Sequence, residues 1–205
     1  GFPSNLGLLP HGEPAQQAWR MMAAALPRET DAATLDRLAV DYAAIYLTGA
    51  YGASPCESVW TDDDRLACQK AMFDLRELYA RDGLAAADWR RRPDDHLVLQ
   101  LLYLARVLRR AAGPDELRRL AAMMDEHLLR WLPDFAERVA GRAEMPFFAV
   151  LAGLTFSWCE QLRDLFAECI GEPRPSREEI EARLRPSRRS ESAPLAYMPG
   201  TAPSW

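Results

Sequence analysis

Residues 94–108 read Asp94-Asp95-His96-Leu97-Val98-Leu99-Gln100-Leu101-Leu102-Tyr103-Leu104-Ala105-Arg106-Val107-Leu108, and Gly113-Pro114 follows shortly after. Leu97, Leu101, Leu104 and Leu108 recur at i, i+4, i+7 and i+11. That spacing is one face of an α-helix and fits no strand, whose side chains alternate. Asp94 or Asp95 is placed to begin the helix. Gly113 closes it, and Pro114 supplies a pre-set first residue for the next.

The same reading extends in both directions. Leu and Ala together number 61, whereas the β-branched Val and Ile number 9. Helices favour the first pair and strands the second, so the fold class is all-α. Upstream, a first helix runs from Pro14 to about Ala25, where Pro27 closes it. A second begins at Thr30 or Asp31 and presents Leu35, Leu38, Tyr42, Ile45 and Tyr46 on one face until Gly49 and Gly52. A third opens at Thr61, with three aspartates in its first turn and a stripe of Cys68, Met72, Leu75 and Tyr79. Downstream, Leu117, Leu120, Met124, Leu128 and Trp131 share a face, Pro133 breaks that helix, and a short one follows to Val139. The last long helix opens at Pro146, buries Leu151, Leu154, Trp158, Leu162 and Leu165, and ends at Gly171. Ser176 and Glu179 have capping-box spacing for one short polar helix. Six of the 15 prolines lie beyond Gly171, so that stretch reads as a Pro/Ser-rich tail.

The expected organisation is a helical bundle of two subdomains. Residues 1–84 form the N-terminal one, 85–95 a polar hinge, 96–170 the C-terminal one and 171–205 the tail.

Composition narrows the function. The net charge of -5 is the wrong sign for a protein that grips nucleic acid along a groove. No run of 18 apolar residues exists, so no membrane insertion is expected. Gly1 to Pro14 lacks the basic and apolar regions of an export signal. Cys56, Cys68, Cys159 and Cys169 form no CxxC, and the expectation is free thiols in a reducing compartment. No phosphate-cradling or nucleophile-elbow motif is present. A helical metal-dependent hydrolase could be built only if Asp95, His96 and His127 converged.

Two loops carry the remaining chemistry. In Ser54-Pro55-Cys56-Glu57-Ser58-Val59-Trp60, a carboxylate stands close to an aromatic ring. That pairing can hold an arginine by charge and stacking, though Trp60 as core and Glu57 as a cap explain it as well. In Arg92-Pro93-Asp94-Asp95-His96, a proline orients acidic groups at the hinge, where N-capping is the simpler role.

Taken in order, Tyr42-Ala43-Ala44-Ile45-Tyr46, Pro55-x-Glu57-Ser58-Val59-Trp60, Pro93-Asp94-Asp95-His96 and His127-Leu128-x-x-Trp131-x-Pro133-x-Phe135 resemble the TorD/DmsD/NarJ family of redox-enzyme maturation chaperones. The resemblance covers roughly residues 30–170. It implies a cytoplasmic, non-enzymatic chaperone that needs no cofactor of its own. Its partner would be the catalytic-subunit precursor of a molybdopterin oxidoreductase. It would bind the precursor's N-terminal signal peptide and its apo form and assist cofactor insertion before export. The alternative within the family is an assembly chaperone of the nitrate-reductase type, without twin-arginine recognition. The family's hinge motif, E-P-x-D-H, falls on residues 92–96. Pro93, Asp95 and His96 match, whereas Arg92 replaces a glutamate.

The residues expected at the peptide site are Tyr46, Glu57, Ser58, Trp60, Pro93, Asp95, His96, His127 and Trp131. Tyr46 and Trp60 would be apolar anchors. Glu57, Asp62 to Asp64, Asp94, Asp95, Asp125 and Glu126 would supply the negative field. The polar connector ending in Pro93 also makes a homodimer by domain swapping an expectation.

Overall fold

A computed structural model of the protein describes residues 31–184, with residues 16, 17, 20, 21, 23 and 24 of a preceding helical stretch. The expected boundaries of that stretch, Pro14 and Pro27, and the tail beyond Pro186 lie outside the described residues. The described residues up to Arg174 belong to one compact unit, and residues 175–184 belong to a second.

The first unit is built from helices. Helix α1 spans Ala32–Tyr42 and runs into a wider π turn, Ala43–Leu47. A single-turn α2, Ser58–Thr61, precedes α3, Lys70–Arg81. Helix α4 is Leu97–Leu108 and α5 is Pro114–Met123. A second π turn, Met124–Leu128, leads into α6, Leu129–Arg142, and α7 is the long Pro146–Ile170. The described residues contain no strand, only an isolated antiparallel bridge between Cys56 and His96. The all-α reading therefore holds.

Helix α7 packs along α6 and α5, and α4 lies against α5. One apolar core runs through these helices and includes Ile45, Leu75, Leu104, Met124, Trp131, Phe135 and Phe166. Within it, Asp125 and Arg163 form a buried two-point pair at 2.9 and 2.8 Å. Asp125 is therefore consumed inside the protein.

Helix ends obey local chemistry. The Asp31 side chain accepts from the Thr34 N–H at 2.7 Å. Pro114 and Pro146 each stand in a first turn. Gly171 ends α7 at φ 73°, a left-handed conformation that costs glycine little. A longer-range cap was not legible. Buried Asp41 accepts from the backbone N–H of Glu144 at 3.0 Å and of Met145 at 2.6 Å, and from the Tyr51 hydroxyl at 2.8 Å. It satisfies donors just before α7, across 104 residues.

Several sequence expectations need correction. Thr61 does not open a long helix; it closes α2, and Asp62–Asp64 fall in the loop before α3. That loop turns through Arg65 and Cys68 at positive φ. Pro133 does not break its helix. It lies inside α6, about one turn after the second π turn. The stripe expected from Leu35 to Tyr46 is also split: Leu35 and Tyr42 in α1 are about half exposed, whereas Ile45 in the π turn is buried. In α7 the buried positions are Phe148, Ala152, Cys159, Arg163 and Phe166, not the expected leucine stripe. Helix α4 begins at Leu97, so neither Asp94 nor Asp95 caps it.

In the second unit α8, Arg177–Leu184, opens on the expected capping box. The Ser176 N–H donates to Glu179 Oε2 at 2.7 Å, and the Glu179 N–H donates to Ser176 Oγ at 3.2 Å.

Candidate functional site

The two motif loops meet. The Glu57 N–H donates to the Asp95 carbonyl at 3.1 Å, and the Leu97 N–H to the Pro55 carbonyl at 2.8 Å. Residues 55–57 and 95–97 are thus zipped together by backbone bonds, about 40 positions apart in sequence.

Side chains complete the clamp. Ser58 donates to Asp95 Oδ2 from both its N–H, at 2.9 Å, and its Oγ, at 2.6 Å. The Gln69 N–H donates to Ser58 Oγ at 3.2 Å, which ties in the loop before α3. Gln100 Nε2 donates to Glu57 Oε2 and to the Asp95 carbonyl, both at 3.0 Å. His127 Nδ1 lies 2.9 Å from Glu57 Oε1. Glu57, Ser58, Asp95 and Gln100 are fully buried. Burial raises the Glu57 carboxyl above its ordinary range, partly offset by the His127 hydrogen bond and the nearby Arg130 charge.

The neighbouring acid, Asp94, faces the other way. Its Oδ2 accepts from Arg76 Nη2 at 2.8 Å and Nε at 3.1 Å, and its carbonyl accepts from the Tyr79 hydroxyl at 3.0 Å. His96 is the N-cap of α4. Its Nδ1 accepts from the Val98 N–H at 3.1 Å. That use requires an unprotonated Nδ1, and burial, then the Arg92 charge, depress the imidazole to about 4.

The other expected residues fall nearby or apart. Pro93 is half-buried, and its carbonyl accepts from the His96 N–H at 3.0 Å. Trp60 donates to the Ser54 carbonyl at 2.8 Å and meets Phe135 edge-on. Trp131 meets the same Phe135 and is fully buried, with no exposed surface to offer a partner. Tyr46 stands apart, against Tyr42 and Phe148. Glu57 and Trp60 do not form an open arginine-holding pair. Glu57 is turned inward, and the protein's own Arg138 lies over the Trp60 ring at 5.7 Å.

Trp60 lines a groove of about 660 Å³ together with Gly52, Val59, Asp134, Glu137 and Arg138. Gly52 has φ 62°, and a Cβ there would meet Arg138 Nη1 at 3.2 Å. A second, more apolar groove of about 460 Å³ lies between Tyr79, Leu84, Leu99, Leu102 and Tyr103.

Gln100 and Arg138 were missed from sequence. Gln100 had a signal, an amide on the buried face of a Leu-rich helix. Arg138 had none, because its partner lies 78 positions away. The hydrolase trio does not converge either. Asp95 is bound to Ser58, His96 caps α4 and His127 faces Glu57. Among the described residues no three His, Cys, Asp or Glu groups gather as metal ligands.

The site is thus a buried polar clamp beside an open groove, on an all-helical frame. The chain belongs to the nitrate reductase delta subunit family, the TorD/NarJ family of molybdoenzyme maturation chaperones, whose model matches residues 11–137. This family is non-enzymatic. Relatives include the chaperone protein TorD of Photobacterium profundum, 27% identical over 167 residues, covering 78% of this chain and 76% of that protein. TorD of Vibrio cholerae serotype O1 is 30% identical over 143 residues, covering 64% of each chain. TorD of Vibrio parahaemolyticus is 26% identical over 131 residues, covering 60% of this chain and 61% of that one. The chain thus spans about three fifths to three quarters of these relatives. No solved structure matches it significantly. No described helix is long and apolar enough to cross a membrane.

Proposed function

We propose that the protein is a system-specific chaperone in the cytoplasm. It binds the N-terminal signal peptide and apo form of a molybdopterin oxidoreductase catalytic subunit and holds it for cofactor insertion before export. The observation that carries this reading is the Trp60 groove. Arg138 already rests over the indole, and Asp134 and Glu137 stand exposed on the same lining. A place that seats one guanidinium on an aromatic face beside carboxylates suits an arginine of an incoming peptide.

Family membership supports the chaperone role, and exposed Asp63 and Asp64 add negative charge to the loop that reaches the groove at Arg65. Glu57, Ser58, Asp95 and His127 act in this scheme by holding the Trp60 turn in place, not by touching the client. Occluding the signal peptide stabilises the waiting precursor by mass action.

The test is titration of a twin-arginine signal peptide into the full chain. Trp60→Ala and the pair Asp134→Asn/Glu137→Gln should weaken binding by about tenfold, or roughly 1.4 kcal/mol. Arg138→Ala should strengthen it by vacating the seat. Equal affinity for a peptide with lysines in place of both arginines would sink guanidinium recognition. It would favour the nitrate-reductase-type alternative, in which a leader is gripped without twin arginines.

A further inference from the structure

The connector before Pro93 carries a second surface unlike the client groove. Phe73 is 56% exposed and Trp89 is 40% exposed. The Arg76 guanidinium lies 5.4 Å from the Phe73 ring centroid and 5.1 Å from that of Trp89. Its two bonds to buried Asp94 pin it there. Arg90 lies 5.0 Å from the Trp89 ring, and Arg91 and Arg92 follow it, all three exposed.

Two large aromatic side chains are thus held outward by a fixed guanidinium, with a run of three arginines beside them. The local charge is positive although the chain is acidic. Asp74 is paired with Lys70, Glu77 with Arg81 and Asp94 with Arg76. Asp88 is the one carboxylate of the stretch with no side-chain partner among the described residues. Neither groove described above includes Phe73, Trp89 or Arg90–Arg92. A surface without a pocket, with aromatic rings among arginines, suits a planar anionic layer better than a peptide needing a groove.

We infer that this face docks peripherally on an anionic lipid surface, with the arginines on the phosphates and Trp89 and Phe73 at the headgroup level. The inference does not depend on the proposed client, whose cationic peptide this face would repel.

The experiment is flotation of the full chain with vesicles of phosphatidylglycerol and phosphatidylcholine, against pure phosphatidylcholine. Binding should require the anionic lipid and disappear near 1 M salt, where screening acts within about 3 Å. Arg90→Ala/Arg91→Ala/Arg92→Ala should weaken it by about tenfold or more. Trp89→Ala should weaken it at unchanged charge, with an unchanged melting temperature for both variants. No binding, equal binding to both vesicles, or full binding by the triple variant would overturn the proposal. So would binding of polyglutamate by a chain that floats with neither vesicle, which would mark a surface for acidic protein. Signal-peptide affinity should stay the same in both variants, so loss of one activity is separable from loss of the other.

Discussion

Ser58 spends its backbone N–H and its hydroxyl on one oxygen of a fully buried carboxylate, Asp95. Hydrogen bonds to buried charges are worth more than neutral ones, and an abandoned buried acceptor carries its full desolvation cost. Ser58→Ala and Asp95→Asn should each lower unfolding stability by about 2 kcal/mol. The double variant should cost less than the sum, because both lose one interaction. Urea denaturation measures all three.

His96 makes a pH prediction at the same scale. Its folded-state value of about 4 lies below the ordinary 6.5, so folding selects the neutral ring. This contribution to stability is whole above about pH 6.5 and is lost as the pH falls through about 4. Between those limits stability should rise with pH. His96→Asn keeps a capping acceptor and removes the titration, so its stability curve over that window should be flatter. An unchanged slope would mean that other groups carry the dependence.

At the scale of elements, the N-terminal end of α7 depends on a residue of α1. Asp41→Ala strips the acceptor from Glu144 N–H, Met145 N–H and the Tyr51 hydroxyl together. The expected loss is about 2–4 kcal/mol, and larger than that for the local, exposed cap lost in Asp31→Ala. Comparing their denaturation midpoints separates a tertiary cap from a local one. Amide exchange should also show the start of α7 opening in the Asp41 variant alone. The π turns belong to this scale as well. Each adds one residue to a turn, so every position beyond it rotates relative to an α-helical reading. That is why the expected stripes fit α3 and α4 better than they fit the region around Tyr42.

At the scale of the molecule, one core joins residues on both sides of the connector, from Ile45 and Leu75 to Trp131 and Phe166. The connector itself is tied upstream through Asp94 to Arg76 and Tyr79 and through Asp95 to Ser58. Thermal unfolding of the first unit should therefore be a single cooperative transition, with calorimetric and van't Hoff enthalpies equal. Two resolved transitions would show that the halves on either side of residues 85–95 are separately stable. Exchange of halves between two copies would have to break these same bonds. Arg76→Ala and Tyr79→Phe should speed any monomer–dimer interconversion seen by sedimentation.

Whatever acts within a turn or two of chain is legible in the order of residues alone. A surplus of Leu and Ala over Val and Ile, apolar residues at helical spacing, and Pro and Gly at element ends were enough for an all-α fold. Ser176 and Glu179 announced their box because both partners lie within four residues. The motif residues singled out two loops that the fold brings together, and their order carried the family resemblance.

Which partners those side chains take is set by contacts between segments distant in sequence. Whether Glu57 faces an incoming arginine or His127 depends on how α2 meets the second π turn, 70 positions downstream. Whether Asp94 caps a helix or pins Arg76, and whether Trp60 awaits a guanidinium or already carries Arg138, are likewise long-range outcomes. A charged or aromatic side chain has several acceptable partners, and local spacing does not rank them. Burial does, because inside the core each polar group must be paired with whatever the packing of helices brings within reach.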